Sequence, residues 1–214
     1  MEFTITEEHQ VLQERARRLA ADFVTRASLH DREASNPVEN YAALRREGFY
    51  GLNVPQELGG SGVGLLGYSL AAEELAQGCP ATALAFNMHL SLVGPLMEHP
   101  EVAAETRQRV ADLVVRQHKL IAGNFSEPTT SGLVASHAAP ATRAQRIAGG
   151  YRITGRKAFA SMLEAADYCA MLAHLEGTEA PGRRFSSSFR QRQRGAAWNG
   201  CGTPSACVLP AVTL

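Results

Sequence analysis

Two short segments of the chain carry residues that suit the binding of a flat heteroaromatic ring. Phe125-Ser126-Glu127-Pro128 follows a predicted strand, and its proline favours an extended exit. A hydroxyl and free backbone N–H groups at a strand end can pair with the donors and acceptors of a ring edge. Phe159-Ala160-Ser161 offers an aromatic face, with a hydroxyl two residues on and on the same side of a predicted strand. The other interpretation is an ordinary strand-end serine and a core phenylalanine.

Other motifs are weaker. Gly60-x-Gly62-x-Gly64 has the spacing of a dinucleotide fingerprint, but that motif needs a strand before it and a helix N-terminus after it. Pro55 and a predicted helix precede the glycines, which favours a plain turn. His89 lies on an apolar helix with no second ligand one turn away, so we interpret it as a core or pocket-lining residue rather than a metal ligand. No GxSxG, HExxH or CxxC element is present.

Composition excludes several classes of function. The formal net charge is +0, so the chain as a whole does not attract nucleic acid or an anionic membrane. No apolar run reaches the length of a membrane span, and the acidic N-terminus does not resemble a signal peptide. The four cysteines have no paired spacing that indicates zinc or disulfides. We expect a cytoplasmic protein that binds neither nucleic acid nor membrane, and no metal.

The hydrophobic period changes along the chain, which predicts an α+β fold. Apolar residues at helical spacing predict helices that start after Thr6, an N-cap, and continue at Val38–Glu47, Leu65–Gln77, Ala81–Glu98 and Glu101–Gln117. From about Leu120 to Glu176 the period shortens, and IAGNF, AQRIA, YRITG and ADYCAMLAHL are predicted strands. Gly149-Gly150 is a predicted hairpin turn between two of these strands. A helical block followed by strands indicates two domains.

Four segments resemble the acyl-CoA dehydrogenase family. They are GFYGLNVPQELGGSG, LAAEELAQGCPATALAFNMHLSLVG, NFSEP and GGYRITGRKAFASMLEAADYCAMLA, which keep the family's motif order over about residues 1–180. The resemblance implies an N-terminal helical domain (1–119) followed by part of a middle β-barrel-like domain (120–181). The C-terminal helical domain of the family is missing by this comparison.

The resemblance also implies a chemistry. Family members bind FAD and remove hydrogen from the α and β carbons of an acyl-CoA thioester. They pass electrons to an electron-transfer flavoprotein and form homo-oligomers. Phe125 and Ser126 match flavin-edge positions, and Phe159 and Ser161 match positions against the flavin ring. Because the family's catalytic base lies in the missing domain, we assign no catalytic residue here and expect weak or no FAD binding and no turnover from this fragment.

One departure from the family pattern keeps a second enzyme class open. Thr129-Thr130-Ser131-Gly132-Leu133 replaces the usual Gly-Ser-Asp, which leaves Ser131 as the candidate contact to the CoA part of the substrate. A flavin-dependent monooxygenase of the same fold, using reduced flavin and oxygen, is therefore an alternative. A third interpretation is a non-catalytic helical interaction module with a basic tail.

The composition of residues 182–214 differs from that of the rest of the chain, because this segment contains no Asp, Glu or Lys. One reading is a disordered basic tail. The genetic code suggests a second interpretation, a shifted reading frame. With the reading frame shifted by two bases, Trp198-Asn199 encodes Glu, and the codons through Val212 permit E-R-V-W-D-T-L-G-M-R-A-T-R-S, which resembles the next strand of the family. We hypothesise a small insertion or deletion near Pro181–Ser186, which makes 182–214 a non-native, poorly ordered tail. Resequencing the encoding DNA tests this hypothesis.

Overall fold

The computed structural model describes residues 4–128, 140–148, 150–177, 190–191 and 205–210. The backbone divides into two compact units, Met1–Leu120 and Ile121–Leu214. The three-part division at residues 119 and 181 that the sequence predicts stays a prediction. Within the described part of the chain, no helix has both the length and the apolar character that crossing a bilayer demands.

The first unit is helical. Its elements are α1 (Glu7–Glu33), α2 (Val38–Arg46), α3 (Gly64–Gly78), α4 (Pro80–Glu98) and α5 (Ala104–Ala111), with 3₁₀ turns at Phe49–Gly51 and Gln56–Leu58 and a π-helical turn at Asp112–Arg116. Each helix overlaps one that the hydrophobic period predicts. Only the start of α5 differs substantially, because the chain turns after Pro100 before the helix begins.

Helix α1 begins as the sequence predicts, with an unusual partner for its cap. The Thr6 hydroxyl accepts from the His9 backbone N–H at 3.3 Å, and the His9 ring accepts in return from the Thr6 backbone N–H at 3.2 Å. A histidine thus occupies the position that Glu or Gln takes in the usual capping box. The predicted apolar stripe of α1 is buried, including Leu12, Leu19 and Phe23.

Helices α1 and α3 approach each other closely because α3 has a glycine at the contact. A Cβ added to Gly78 would lie 2.5 Å from the Cα of Ala20. Beside this contact, Arg17 Nη2 pairs with Glu74 Oε1 at 2.8 Å, and Glu74 is buried. Burial of apolar side chains supplies most of the packing energy here, and the partly exposed ion pair adds one polar contact between the two helices.

His89 lies in a buried aromatic cluster on α4. Its ring stacks on Phe86 with centroids 5.8 Å apart and tilts against Tyr50 at 5.4 Å. His89 Nε2 donates to the Tyr50 carbonyl at 3.0 Å. The histidine is therefore a hydrogen-bonded core residue, in agreement with the interpretation made from the sequence.

The second unit contains short strands in two sheets. The first sheet has the order β1-β4-β6, and the second has the order β5-β2-β3-β7. The bounds are β1 (Ile121–Asn124), β2 (Arg143–Ile147), β3 (Gly150–Gly155), β4 (Tyr168–Met171), β5 (His174–Leu175), β6 (Arg190–Gln191) and β7 (Ser205–Pro210). β2 and β3 form the predicted hairpin, with Ile147 opposite Gly150. β1 and β4 pair in parallel.

This architecture confirms the α+β class, with strands that do not close into a barrel among the residues described. A small apolar core lies in the second unit and consists of Ala144, Tyr151, Ile153, Cys169, Met171 and Ala173. β6 and β7 fall within 182–214, where their backbones pair with β4 and β3. The non-native origin of that region stays a prediction, and its other residues lie outside the described part of the chain.

We expect Gly78→Ala to destabilise the helical unit by about 2 kcal/mol, because the added methyl group collides with the α1 backbone, which cannot rotate away. Thermal unfolding followed by circular dichroism at 222 nm measures the change. Gly67→Ala in the same helix is the matched control. A Cβ at Gly67 would lie 3.0 Å from the Val63 Cβ and 3.2 Å from the His9 ring, so these neighbours need to move only a few tenths of an ångström. Equal effects of the two substitutions would contradict the close contact at Gly78.

Candidate functional site

The structure brings the two predicted ring-binding segments together. The Ala158 backbone N–H donates to the Ser126 carbonyl at 2.9 Å. One residue away on each segment, Lys157 Nζ contacts Glu127 Oε1 at 2.8 Å. Phe125 and Ser126 therefore lie on a segment that is bonded directly to the one carrying Phe159 and Ser161. Flavin binding by these four side chains stays a prediction, and Ser131 lies outside the described residues.

The Glu127 carboxylate is the most heavily bonded group of this site. Its Oε1 accepts from the Thr142 backbone N–H at 3.0 Å and from the Thr142 hydroxyl at 2.7 Å. Its Oε2 accepts from the Ala141 N–H at 2.8 Å. With Lys157, four donors from two other segments converge on one side chain. Such charge-assisted bonds are about twice as strong as neutral ones.

The Glu127–Lys157 pair is buried, with side chains only 4% and 7% exposed. Burial alone raises the pKa of the Glu127 carboxyl. Hydrogen bonds from Lys157, Thr142 and Ala141 outweigh burial and lower this pKa from 4.5 to about 2. The carboxylate is therefore fully ionised at neutral pH, and its charge is available to hold the lysine.

A glycine allows Thr142 to reach the carboxylate. A Cβ added to Gly155 at the end of β3 would lie 2.7 Å from the Thr142 Cα and 2.8 Å from its Cβ. Thr142 is itself buried and accepts the His174 N–H on its carbonyl at 2.8 Å. The absence of a side chain at Gly155 thus places β3 against the threonine that orients Glu127.

Phe159 is exposed and strained. Its side chain is 87% exposed, and its backbone φ is 56°, in the left-handed region. The Ser161 N–H donates to the Phe159 carbonyl at 2.9 Å. The prediction of a strand at Phe159–Ser161 is wrong, because β3 ends at Gly155 and a turn covers residues 161–165. The positive φ at Phe159 interrupts the extended backbone that the strand interpretation needs. The alternative prediction, that Phe159 is a core residue, is also wrong, because its side chain is exposed.

The strand end before Phe125 carries an unsatisfied polar atom. Asn124 is the last residue of β1 and is 2% exposed. Its side-chain Oδ1 has no hydrogen-bond partner among the residues that the structure describes. A buried carbonyl oxygen without a donor is costly, so this position favours a ligand or water that brings an N–H or O–H group.

Sequence reasoning did not single out Asn124, Glu127 and Lys157, which the structure places on the two candidate segments. Glu127 and Lys157 stand 30 positions apart, and no spacing rule links them, because the sheet and not a helix turn brings them together. The available signal was the family motif, since both residues lie in the segments that resemble it.

The glycine-rich loop before α3 does not form a phosphate site. The Gly60 and Gly62 N–H groups donate to the carbonyls of Pro55 and Val54 at 3.1 and 2.9 Å. Ser61 donates in the same way to Gly51 at 3.1 Å. These donors are therefore consumed within the loop, as a plain turn requires. Clusters of three side chains able to hold a metal ion do not occur in the described ranges.

Comparison with known proteins identifies the family. Residues 6–110 match the family described as acyl-CoA dehydrogenase, N-terminal domain. The chain belongs to the acyl-CoA dehydrogenase family. The matched segment covers the helices from α1 to most of α5, and the resemblance inferred from the sequence motifs is confirmed.

Proteins similar to this chain carry different activities in their names. YdbM of Bacillus subtilis (strain 168), which is classed with acyl-CoA dehydrogenases, is 30% identical over 79% of this chain and 44% of its own length. The amino sugar nitrososynthase DnmZ of Streptomyces peucetius is 31% identical over 82% of this chain and 44% of its own length. The chain therefore spans less than half the length of these curated relatives.

A similar solved structure contains a flavin. KijD3, in complex with FMN and a dTDP-linked amino-keto sugar, superposes with a TM-score of 0.73 and 27% identity. The match covers 88% of this chain and 46% of KijD3. The flavin cofactor predicted from the sequence is thus the cofactor type of this fold family.

We expect Glu127 to titrate near pH 2 in the folded protein, where an unfolded glutamate titrates near 4.5. Because the folded pKa is the lower one, the carboxylate contributes roughly 3 kcal/mol above pH 4.5, and this contribution is lost as the pH falls towards 2. Carboxyl ¹³C NMR of Glu127 measures the pKa. In Glu127→Gln the second unit should be less stable at pH 7 and less sensitive to acid. A Glu127 midpoint near 4.5 would contradict the buried pair.

Proposed function

We propose that this chain is the helical and flavin-binding part of an oxidoreductase of the acyl-CoA dehydrogenase type. FAD is held by Phe125, Ser126, Phe159 and Ser161. The observation that carries this proposal is the exposed, strained Phe159 on a segment bonded to the Ser126 segment. Membership of the family supplies the class of cofactor.

Phe159 contributes little to the stability of the chain alone. Leaving a phenylalanine ring in water forgoes about 2 kcal/mol of burial, and a left-handed φ costs a bulky residue about 1–2 kcal/mol more. Strain of this kind persists where the surrounding structure fixes it, and it clusters at binding sites. A flat ring stacked on Phe159 would recover the burial energy.

Polar groups on the segment that is bonded to the Phe159 segment fit a flavin. The edge of the isoalloxazine ring presents both hydrogen-bond acceptors and an N–H donor. Ser126 supplies a hydroxyl donor for the ring edge, and the unsatisfied Asn124 Oδ1 supplies an acceptor at the same strand end. Once bound, FAD supplies the acceptor for a hydride taken from the substrate. The residues of this chain bind and orient that ring.

The reaction we propose is the α,β-dehydrogenation of an acyl-CoA thioester. YdbM and the family name support it. Ser131 is proposed as the contact to the CoA part, with an electron-transfer flavoprotein as electron acceptor and a homo-oligomer as the assembled form. The catalytic base of this reaction is proposed to lie outside the present residues.

A second candidate is oxygenation by reduced flavin. Two observations favour it: the nitrososynthase relative and KijD3 with its FMN and nucleotide sugar. Thr129-Thr130-Ser131-Gly132-Leu133 departs from the family's Gly-Ser-Asp motif for the CoA contact, which is consistent with a substrate other than acyl-CoA.

We expect Phe159→Ala to weaken the binding of FAD about tenfold, because it removes the stacking surface. Titration of the ¹⁵N-labelled chain with FAD, followed by the amide shifts of residues 125–127 and 158–161, measures affinities down to the millimolar range. Phe159→Trp should bind at least as tightly as the parent chain. Leu84→Ala, which alters a similarly exposed apolar residue of the helical unit, is the control and should change nothing. Equal binding by Phe159→Ala would exclude the stacking role.

If resequencing confirms the hypothesised frameshift near Pro181–Ser186, the reaction can be tested on the longer protein that the restored frame encodes. Under anaerobic conditions, an acyl-CoA thioester should bleach the bound FAD, because the substrate reduces it directly. If the oxygenase candidate is correct, acyl-CoA leaves the spectrum unchanged. If the folded protein with the restored frame does not bind FAD and stays colourless after incubation with it, both candidates are contradicted.

A further inference from the structure

We propose that Glu127 and Lys157 are positioning residues whose buried ion pair holds the Ser126 and Phe159 segments at a fixed separation for a planar cofactor ring. This inference rests on the flavin-binding function proposed above. It adds two residues to the site, neither of which is itself placed against the ring.

The position of the pair within the two segments is the first argument. Glu127 directly follows Ser126, and Lys157 precedes Phe159 by two residues. The residues next to this pair, Ser126 and Ala158, are joined by a 2.9 Å hydrogen bond from the Ala158 N–H to the Ser126 carbonyl. One charged contact and one backbone bond therefore join the segments side by side, which restricts both their spacing and their relative rotation.

The second argument is that the carboxylate is anchored independently of the lysine. Thr142 and Ala141 donate three hydrogen bonds to Glu127 from the chain that leads into β2. Gly155 lets β3 lie against Thr142 without a clash. The carboxylate is thus fixed to the hairpin, and the lysine ties the segment after β3 to that fixed point.

The third argument is energetic. A buried ion pair often contributes no more to stability than apolar side chains of the same volume, because both charges must be desolvated. Its advantage is geometric, since a carboxylate with fixed donors accepts the ammonium group in few orientations. Just beyond the pair, Phe159 keeps a φ of 56° with its ring exposed. The bond from Ala158 and the bond from the Ser161 N–H hold that conformation from both sides.

The test compares three single variants of the full chain. Lys157→Met removes the charge and keeps the length of the side chain, and Lys157→Arg keeps the charge. Arg156→Met removes a neighbouring exposed charge and is the matched control. Amide deuterium exchange at Ala158 reports on the bond to Ser126 directly, and FAD titration by NMR reports on the site.

We expect exchange at Ala158 to be at least about tenfold faster in Lys157→Met, and FAD to bind about tenfold more weakly. The arginine variant keeps a charged donor for Glu127, so it should stay within about threefold of the parent chain in both measurements, and the Arg156 control should match the parent chain. If Lys157 only stabilised the fold, its substitution would lower the thermal midpoint, but exchange at Ala158 and FAD affinity would not differ between the Met and Arg variants. Parent-like exchange and FAD binding in folded Lys157→Met would overturn the proposal.

The two proposals can fail separately. If FAD shifts no amide in the parent chain, the flavin function fails, and the exchange rate at Ala158 still decides whether the pair holds the segments. If Lys157→Met does not fold, Thr142→Val provides the second variant. It removes one donor to the Glu127 oxygen that the lysine also contacts, so exchange at Ala158 should rise about threefold. Unchanged exchange in that variant would overturn the positioning role.

Discussion

The second unit depends on one buried carboxylate, whose hydrogen bonds come from the protein's own donors. Glu127 takes donors from Ala141, Thr142 and Lys157, so the start of β2 and the residues after β3 are held to the segment that leaves β1. Burial makes these bonds necessary, because an ionised carboxylate without donors would be far more costly than the folding energy of such a unit allows. The sheet supplies the framework, and the carboxylate decides how the connecting segments lie on it.

Around this interaction, stability and binding make different demands. The apolar residues of β2, β3 and β4 are buried, as folding requires. Phe159 is the opposite case, with its ring in solvent and its backbone strained. A chain selected only for stability would bury that ring or place a glycine there. The exposure of Phe159 is therefore accounted for by the proposed ligand contact and not by packing in the core.

The sequence predicts the local features of this fold well and the distant ones poorly. The Thr6 cap, the stripe of α1 and the β2–β3 hairpin depend on neighbours within a few positions, and all three are confirmed. The parallel pairing of β1 with β4 and the Glu127–Lys157 contact join distant positions, and no periodicity records them. Phe159 was identified as a ring-binding candidate from its motif, but its left-handed backbone was not, since that conformation is imposed by the bonds on either side.

The spread of Glu127's donors along the chain also sets an order of assembly. Thr142 and Lys157 lie 15 and 30 positions from the carboxylate, whereas only two residues separate β2 from β3 in sequence. Closing the short hairpin loop costs less chain entropy than closing the longer loops from Glu127 to its donors. The hairpin can therefore form first, with Thr142 and Lys157 already in position to bind the carboxylate. The segment from Phe125 to Pro128 then docks onto it. The proposed ring-binding surface is then among the last parts of the unit to form during folding, and among the first to open when the unit is perturbed.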